Sequence, residues 1–252
     1  MRGMRNIYRT GVALALLATT LPAWSYADES AAEAKPGQTP RSLKKKVEVE
    51  VQCDYLLFLP QDYGKDKDKK WPVIVFLHGA GERGSDVNKV KAHGPPKLAE
   101  TTRKDLPFIV ISPQCPEGKW WDPVVIVGLL DEVAATHAAD LDRVYLTGLS
   151  MGGYGTWETA TQYPDRFAAI APICGGGNPH RVSRIKHVPT WVFHGDKDEA
   201  VPVRKSEEMV EALKRAGGDV EFTRYPEAGH DSWTATYDNP ALYEWFLKHK
   251  RK

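Results

Sequence analysis

The chain predicts an α/β fold: a doubly wound, mostly parallel sheet in a single domain without a large lid. Two observations predict it. Short, continuous apolar runs occur at Pro72–Leu77, Phe108–Ser112, Val144–Thr147, Phe167–Ile173 and Thr190–Phe193, as parallel strands buried on both faces require. Helix-compatible segments lie between them, and strand–helix alternation with right-handed crossovers is the rule for such sheets. The length of 252 residues suits one domain of this size.

The elements follow in order. Residues 1–27 read as a targeting segment, with a basic start (Arg2, Arg5, Arg9), a short apolar run from Gly11 to Leu21, and Ser25-Tyr26-Ala27 as a small-x-small cleavage site. That run is too short for a stable membrane span, so export to the periplasm or beyond is expected, with no stable anchor after cleavage near Ala27. Residues 28–43, rich in Ala, Glu, Lys, Pro and Gln, read as a disordered leader, and residues 44–252 as the folded domain. Val47-Glu48-Val49-Glu50-Val51 alternates as a half-buried antiparallel strand should, with Tyr55–Leu59 as its partner. Gly64–Lys70 is a charged loop. Helices are expected at Val124–Ala139, Tyr154–Tyr163, Val203–Ala216 (stopped by Gly217-Gly218) and Pro240–Lys248, with a further strand at Val220–Tyr225.

Composition narrows the chemistry. The net charge is +1, falling to −2 once Arg2, Arg5 and Arg9 are removed, which gives no basis for a nucleic-acid partner. Cys53, Cys115 and Cys174 allow at most one disulfide, show no zinc spacing, and read as buried small hydrophobes. Oligomeric state has no sequence signal here.

The most informative segment is Gly148-Leu149-Ser150-Met151-Gly152, set between an apolar strand and a helix-compatible stretch. A serine on such a strand-to-helix turn is lifted clear of the sheet, and only small neighbours tolerate the turn. Serine needs a base to take its proton, and the base needs an orienting acid. His230, in a Gly-His loop after the last strand, is the candidate base. Among Asp196, Asp198 and Glu199, Asp198 at the head of Asp-x-x-Val-Pro is the candidate acid; Asp196 reads as a turn former and Glu199 as solvent-facing.

Five segments in register carry a family resemblance: Phe76-Leu77-His78-Gly79-Ala80-Gly81-Glu82-Arg83-Gly84, Ser112-Pro113-Gln114-Cys115-Pro116, the Ser150 turn, His194-Gly195-Asp196-Lys197-Asp198 and Gly229-His230. From about Val47 to Lys248 the chain resembles secreted esterases of the α/β-hydrolase fold. That group takes in carboxylesterase/phospholipase, feruloyl-esterase and polyhydroxybutyrate-depolymerase-like enzymes. The order Ser150, Asp198, His230 is the order of that fold.

The resemblance implies an oxyanion hole built from the backbone N–H groups of Ala80 and Met151, with Gly81 as substitute for Ala80. It also implies ester hydrolysis through an acyl-enzyme, with acetyl or hydroxycinnamoyl esters of plant polysaccharide, or small soluble esters, as substrates. No metal or organic cofactor is required. Trp120-Trp121 and Trp233 lie on loops near the serine, so Trp121 and Trp233 are candidate substrate contacts, with core or loop packing the competing reading. Glu82 and Arg83 read as an ion pair bracing their loop, and His78 as structural. A serine peptidase on the same fold, or a non-catalytic binding protein on a hydrolase scaffold, remain alternatives at this point.

Overall fold

A computed structural model describes residues 38–251. The expected targeting segment and the first part of the leader lie outside the described residues. The chain divides into two units, residues 1–48 and residues 49–252. In the first, the described residues 38–48 are exposed and carry no helix or strand. Among the described residues, no helix is long and apolar enough to cross a membrane.

The second unit is built on seven strands: β1 (Tyr55–Phe58), β2 (Trp71–Leu77), β3 (Ile109–Pro113), β4 (Ala139–Leu149), β5 (Ala169–Ile173), β6 (Thr190–Gly195) and β7 (Val220–Tyr225). Their order in the sheet is β1-β3-β2-β4-β5-β6-β7, with β1 antiparallel to β3 and every other pair parallel. Helices α1 (Gly94–Glu100), α2 (Pro123–Thr136), α3 (Met151–Gln162), α4 (Arg204–Arg215), α5 (Trp233–Asp238) and α6 (Pro240–Lys248) cover it. This is the doubly wound, mostly parallel sheet that the apolar runs predict.

The pleat explains the two layers. Every residue of β2 is buried, but Val73, Val75 and Leu77 face one core while Ile74 and Phe76 face the other. The first core takes Ile126 and Leu130 of α2, Trp157 of α3 and Met209 and Leu213 of α4. The second takes Leu98 of α1, Tyr237 of α5 and Tyr243 and Phe246 of α6. The connection β2 to β3 runs one way along the sheet, and β4 returns to the opposite side of β2. Ligand sites of open α/β sheets form beside such a reversal, at the carboxyl ends of the strands.

Helix boundaries follow local chemistry. Asp122 caps α2 by accepting from Val124 N, with Pro123 in the first turn, and Asn239 and Pro240 repeat the device at α6. Gly217, at φ +79°, ends α4, donating to Lys214 O at 3.0 Å.

Three expectations are corrected. Residues 47–51 form no strand, and Val47, Val49 and Val51 are exposed; Tyr55–Phe58 pairs instead with β3. Alternation marks a face, but a strand also needs a neighbouring edge to bond. The helix expected to run to Ala139 ends at Thr136, because His137 turns extended and Ala139 already belongs to β4. Helix α3 starts at Met151, directly after the serine, rather than at Tyr154. The three cysteines are all free.

Trp157 is the largest fully buried side chain, inside the core between α3 and the sheet. Truncation to alanine is expected to cost about 3–5 kcal/mol, measured as a drop in the urea midpoint with an unchanged slope.

Candidate active site

Ser150 sits between the end of β4 and the first residue of α3 at φ 53° and ψ −115°. A non-glycine residue held there costs about 1–3 kcal/mol, which the surroundings must over-determine. They do so by contact. A Cβ on Gly152 would lie 1.9 Å from Leu77 O, and one on Gly148 would lie 2.5 Å from Gly152 O. Only hydrogen at both positions lets α3 start this close to the end of β2. Ser150 N donates to Ile173 O at 3.0 Å and also lies 3.3 Å from Cys174 Sγ.

The structure brings Ser150, His230 and Asp198 together. His230 Nε2 lies 2.9 Å from Ser150 Oγ, and His230 Nδ1 lies 2.7 Å from Asp198 Oδ2. The carboxylate only accepts, so Nδ1 carries the proton and Nε2 is left to accept from the serine hydroxyl. Asp198 Oδ1 accepts from Ala200 N (2.9 Å) and Val201 N (2.8 Å), so its own turn fixes the carboxylate. The competing acids are placed elsewhere. Asp196 accepts from Arg224 Nε at 2.6 Å on the surface, and Glu199 is exposed.

The loop after β2 approaches the Ser150 turn at Gly79, where a Cβ would lie 2.7 Å from the Leu149 side chain. Ala80 opens a single 3-10 turn and Met151 opens α3, positions whose N–H groups have no partner inside their own helix. His78 beneath this loop is fully buried. Its Nδ1–H donates to Gly79 O at 2.6 Å and its Nε2 accepts from Cys115 N at 3.0 Å. Burial holds its pKa below the usual imidazole value, so it stays neutral and serves as a strut. Glu82 and Arg83 do not pair with each other. Glu82 Oε1 lies 3.6 Å from His93 Nε2, whereas Arg83 donates to Ala80 O and Lys119 O.

The two tryptophans have defined partners. Trp121 Nε1 donates to His78 O at 3.1 Å, and its ring packs against Gly155, where a Cβ would meet it at 2.8 Å. Trp233 stands edge-on to His230, with ring centroids 5.2 Å apart, and its Nε1 lies 3.3 Å from His93 Nδ1.

Three side chains near the site escape sequence reasoning. His194 is fully buried, with Nε2 3.2 Å from Asp198 Oδ2 and 2.8 Å from Val201 O. Its place four residues before Asp198, in the same short motif, was the available signal. Cys174 lies beneath Ser150, and burial pushes its thiol pKa up to about 12, so it is a neutral thiol. Tyr154 follows Ser150 by one helical turn and faces the Trp120 ring.

Residues 125–243 match the dienelactone hydrolase family. A solved structure of a thermostable esterase is similar, with 36% identity and a TM-score of 0.73, covering 82% of this chain and 62% of that one. The chain is an α/β hydrolase by fold. Two curated relatives are similar over parts of the chain. Poly(3-hydroxyalkanoate) depolymerase C of Paucimonas lemoignei is 34% identical over 42% of this chain and 28% of its own length. A bifunctional acetylxylan esterase/xylanase of Neocallimastix patriciarum is 28% identical over 54% of this chain and 20% of its own length. The chain thus spans less than a third of either curated relative. In this α/β-hydrolase fold, Ala80, Ser150, Asp198 and His230 follow β2, β4, β6 and β7 respectively, all at the carboxyl rim of the sheet.

Burial also lowers the pKa of His194, so both buried histidines bind a proton less readily folded than unfolded. The unfolded chain then holds more protons below about pH 6.5, and stability falls as pH drops through that value. Urea midpoints measured from about pH 8 to pH 5 are expected to decline on the acid side. The decline should be shallower in a His194→Gln variant.

Proposed function

We propose that this chain is a serine esterase that works through an acyl-enzyme. The observation that carries the reading is the Ser150–His230–Asp198 array, in which the hydrogen-bond partners leave His230 Nε2 free to take the serine proton. Ser150 Oγ attacks the ester carbonyl as His230 accepts its proton. The carbonyl oxygen gains charge and is met by the N–H groups of Ala80 and Met151. The tetrahedral intermediate then collapses, His230 passes the proton to the departing alcohol, and an acyl-serine remains. Water, deprotonated by His230, releases the acid and restores Ser150. Asp198 holds His230 in the productive tautomer throughout and stabilises the imidazolium that forms.

The substrates we propose are acetyl or hydroxycinnamoyl esters of plant polysaccharide, with small soluble esters also accepted. Support comes from the acetylxylan esterase/xylanase relative and from the depolymerase relative, both named for ester polymers or decorated polymers. Export of the mature chain, with cleavage near Ala27, fits a polymeric substrate that cannot enter a cell.

Kinetics on p-nitrophenyl acetate test the mechanism. Ser150→Ala and His230→Ala should each lower kcat by about six powers of ten, and the double variant little further, since the groups act as a unit. Asp198→Ala should lose about one to two powers of ten less. Asp196→Ala should stay within a few-fold of wild type. A wild type that gives no acyl burst and no labelling of Ser150 by a fluorophosphonate would refute the esterase reading. Large loss in Asp196→Ala with an active Asp198→Ala would reassign the acid alone. A matched amide, cleaved as fast as the ester, would point to a peptidase.

A further inference from the structure

Helix α3 carries more than the nucleophile. Ser150, Tyr154 and Glu158 are spaced by four residues, so they follow one face of the helix away from its N-terminus. Beside that face lies a groove of about 380 Å³ lined by Trp120, Trp121, Tyr154, Glu158, Gly177 and Asn178. At 1.5 Å per residue, Glu158 lies about 12 Å along the axis from Ser150. The groove therefore begins one turn from the nucleophile and extends a further turn away from it.

The lining has two characters. Trp120 is 66% exposed, and its ring stands edge-on to Tyr154 with centroids 6.2 Å apart. Trp121 is held by His78 O next to the Ala80 loop, so the groove wall is continuous with the proposed oxyanion hole. Against these aromatic surfaces stand fixed polar groups. Glu158 Oε1 accepts from Arg181 Nη1 at 2.6 Å, which anchors the carboxylate at the rim. Asn178 Oδ1 accepts from His180 N at 3.0 Å, which directs the amide and keeps its NH₂ as a donor.

We propose that this groove is an alcohol-side subsite that seats a pyranose ring of a carbohydrate ester. The proposal rests on the esterase reading above and names where the sugar lies. A pyranose ring presents an apolar face of C–H groups and an edge of hydroxyls. Its face fits on the Trp120 indole, and its hydroxyls meet the Glu158 carboxylate as acceptor and the Asn178 amide as donor. A purely aromatic acyl ring would use the indole but leave both polar groups unmatched. The distance from Ser150 leaves room for the esterified sugar itself, with the stacked ring its neighbour along the chain.

Two measurements test this on the full chain. In the first, unesterified xylotetraose is titrated into the Ser150→Ala variant and tryptophan fluorescence is followed. Saturable quenching is expected, weakened about tenfold in the Ser150→Ala/Trp120→Ala variant and partly restored by Trp120→Phe. In the second, kcat and KM are compared for acetylated xylo-oligosaccharide, p-nitrophenyl acetate and methyl ferulate. Trp120→Ala should raise KM for the oligosaccharide about tenfold relative to that for p-nitrophenyl acetate, with little change in the kcat ratio.

Equal effects of Trp120→Ala on all three esters would overturn the subsite and mark Trp120 as structural. A selective rise for methyl ferulate would assign the groove to the acyl group and overturn the proposal as well. The binding arm does not depend on turnover. Should wild type cleave none of the esters while xylotetraose still binds through Trp120, the sugar site stands and the esterase reading falls. Absence of xylotetraose binding in a protein that hydrolyses p-nitrophenyl acetate would remove the subsite alone.

Discussion

The contact between Gly152 and the end of β2 is the constraint on which the site depends. Leu77 O occupies the space that any side chain at 152 would need, so α3 begins against β2 only because hydrogen stands there. That close start leaves one residue, Ser150, to turn the chain from strand into helix, and it does so at φ 53°. The strain is held by lateral backbone hydrogen bonds at the sheet rim. Ser150 N donates to Ile173 O at the end of β5, Cys174 N to Phe193 O in β6, and Asp196 N to Tyr225 O at the end of β7. Each residue just past one strand is thereby tied to the end of the next. The loops carrying the serine, the acid and the histidine stand on one stepped, hydrogen-bonded ledge. Cys174, at φ 40°, shares the unusual backbone of the ledge.

Above the ledge, charge is arranged sparingly. Asp198 has no exposed side-chain surface, and a buried carboxylate is tolerated only if its acceptor sites are filled. Two backbone N–H groups fill Oδ1, and two imidazoles approach Oδ2. His194 is kept neutral by burial, so it contributes a dipole and no second charge. Its proton must sit on Nε2, since Val201 O and the carboxylate can only accept. Nδ1 is then left as an acceptor, and Ser206 Oγ, 2.7 Å from it and 2.9 Å from Gly175 O, has one hydroxyl proton to divide between the two. The carboxylate is thus gripped from behind by a neutral group, with His230 in front of it.

Much of this was legible in the amino-acid order, and the exceptions share a cause. Runs such as Pro72–Leu77 and Thr190–Phe193 are buried on both faces, so their identity as strands needs no knowledge of partners. Ser150, with glycines on both sides, declares a backbone shape by itself. Asp198 was preferred to Asp196 as the head of Asp-x-x-Val-Pro, and the structure shows the turn that follows it giving its carboxylate two N–H donors, from Ala200 and Val201. What stayed hidden depends on contacts between distant segments. Val47–Val51 has the period of a strand, yet it forms none, although β1, its expected partner, ends the sheet with an open outer edge. Helix α1 was not among the expected helices; it begins Gly94-Pro95-Pro96, and prolines in a first helical turn lose no hydrogen bond. Glu82 and Arg83 are neighbours in sequence, but Arg83 finds two backbone carbonyls instead.

The same logic places Ser150 and the proposed subsite on one helix. The side of α3 that bears Trp157 and Ala160 is sealed into the core, so the helix cannot shift without opening that packing. Its N-terminus is fixed by Gly152 against β2, and its C-terminal end caps on Thr159 O through Tyr163. A rigid rod held at one end and along one side keeps Tyr154 and Glu158 at constant distances from Ser150. Any ligand resting on that face is therefore measured out from the nucleophile in helical turns, about 6 Å at a step of four residues. Trp120 and Trp121, which flank the rod, come from the segment leading into α2, and Trp121 is pinned to the carbonyl of His78. A ring seated on Trp120 and an oxygen seated at Ala80 would then share one framework. Binding free energy gained at the groove can in this way be used to align the ester carbonyl with Ser150, rather than only to retain the substrate.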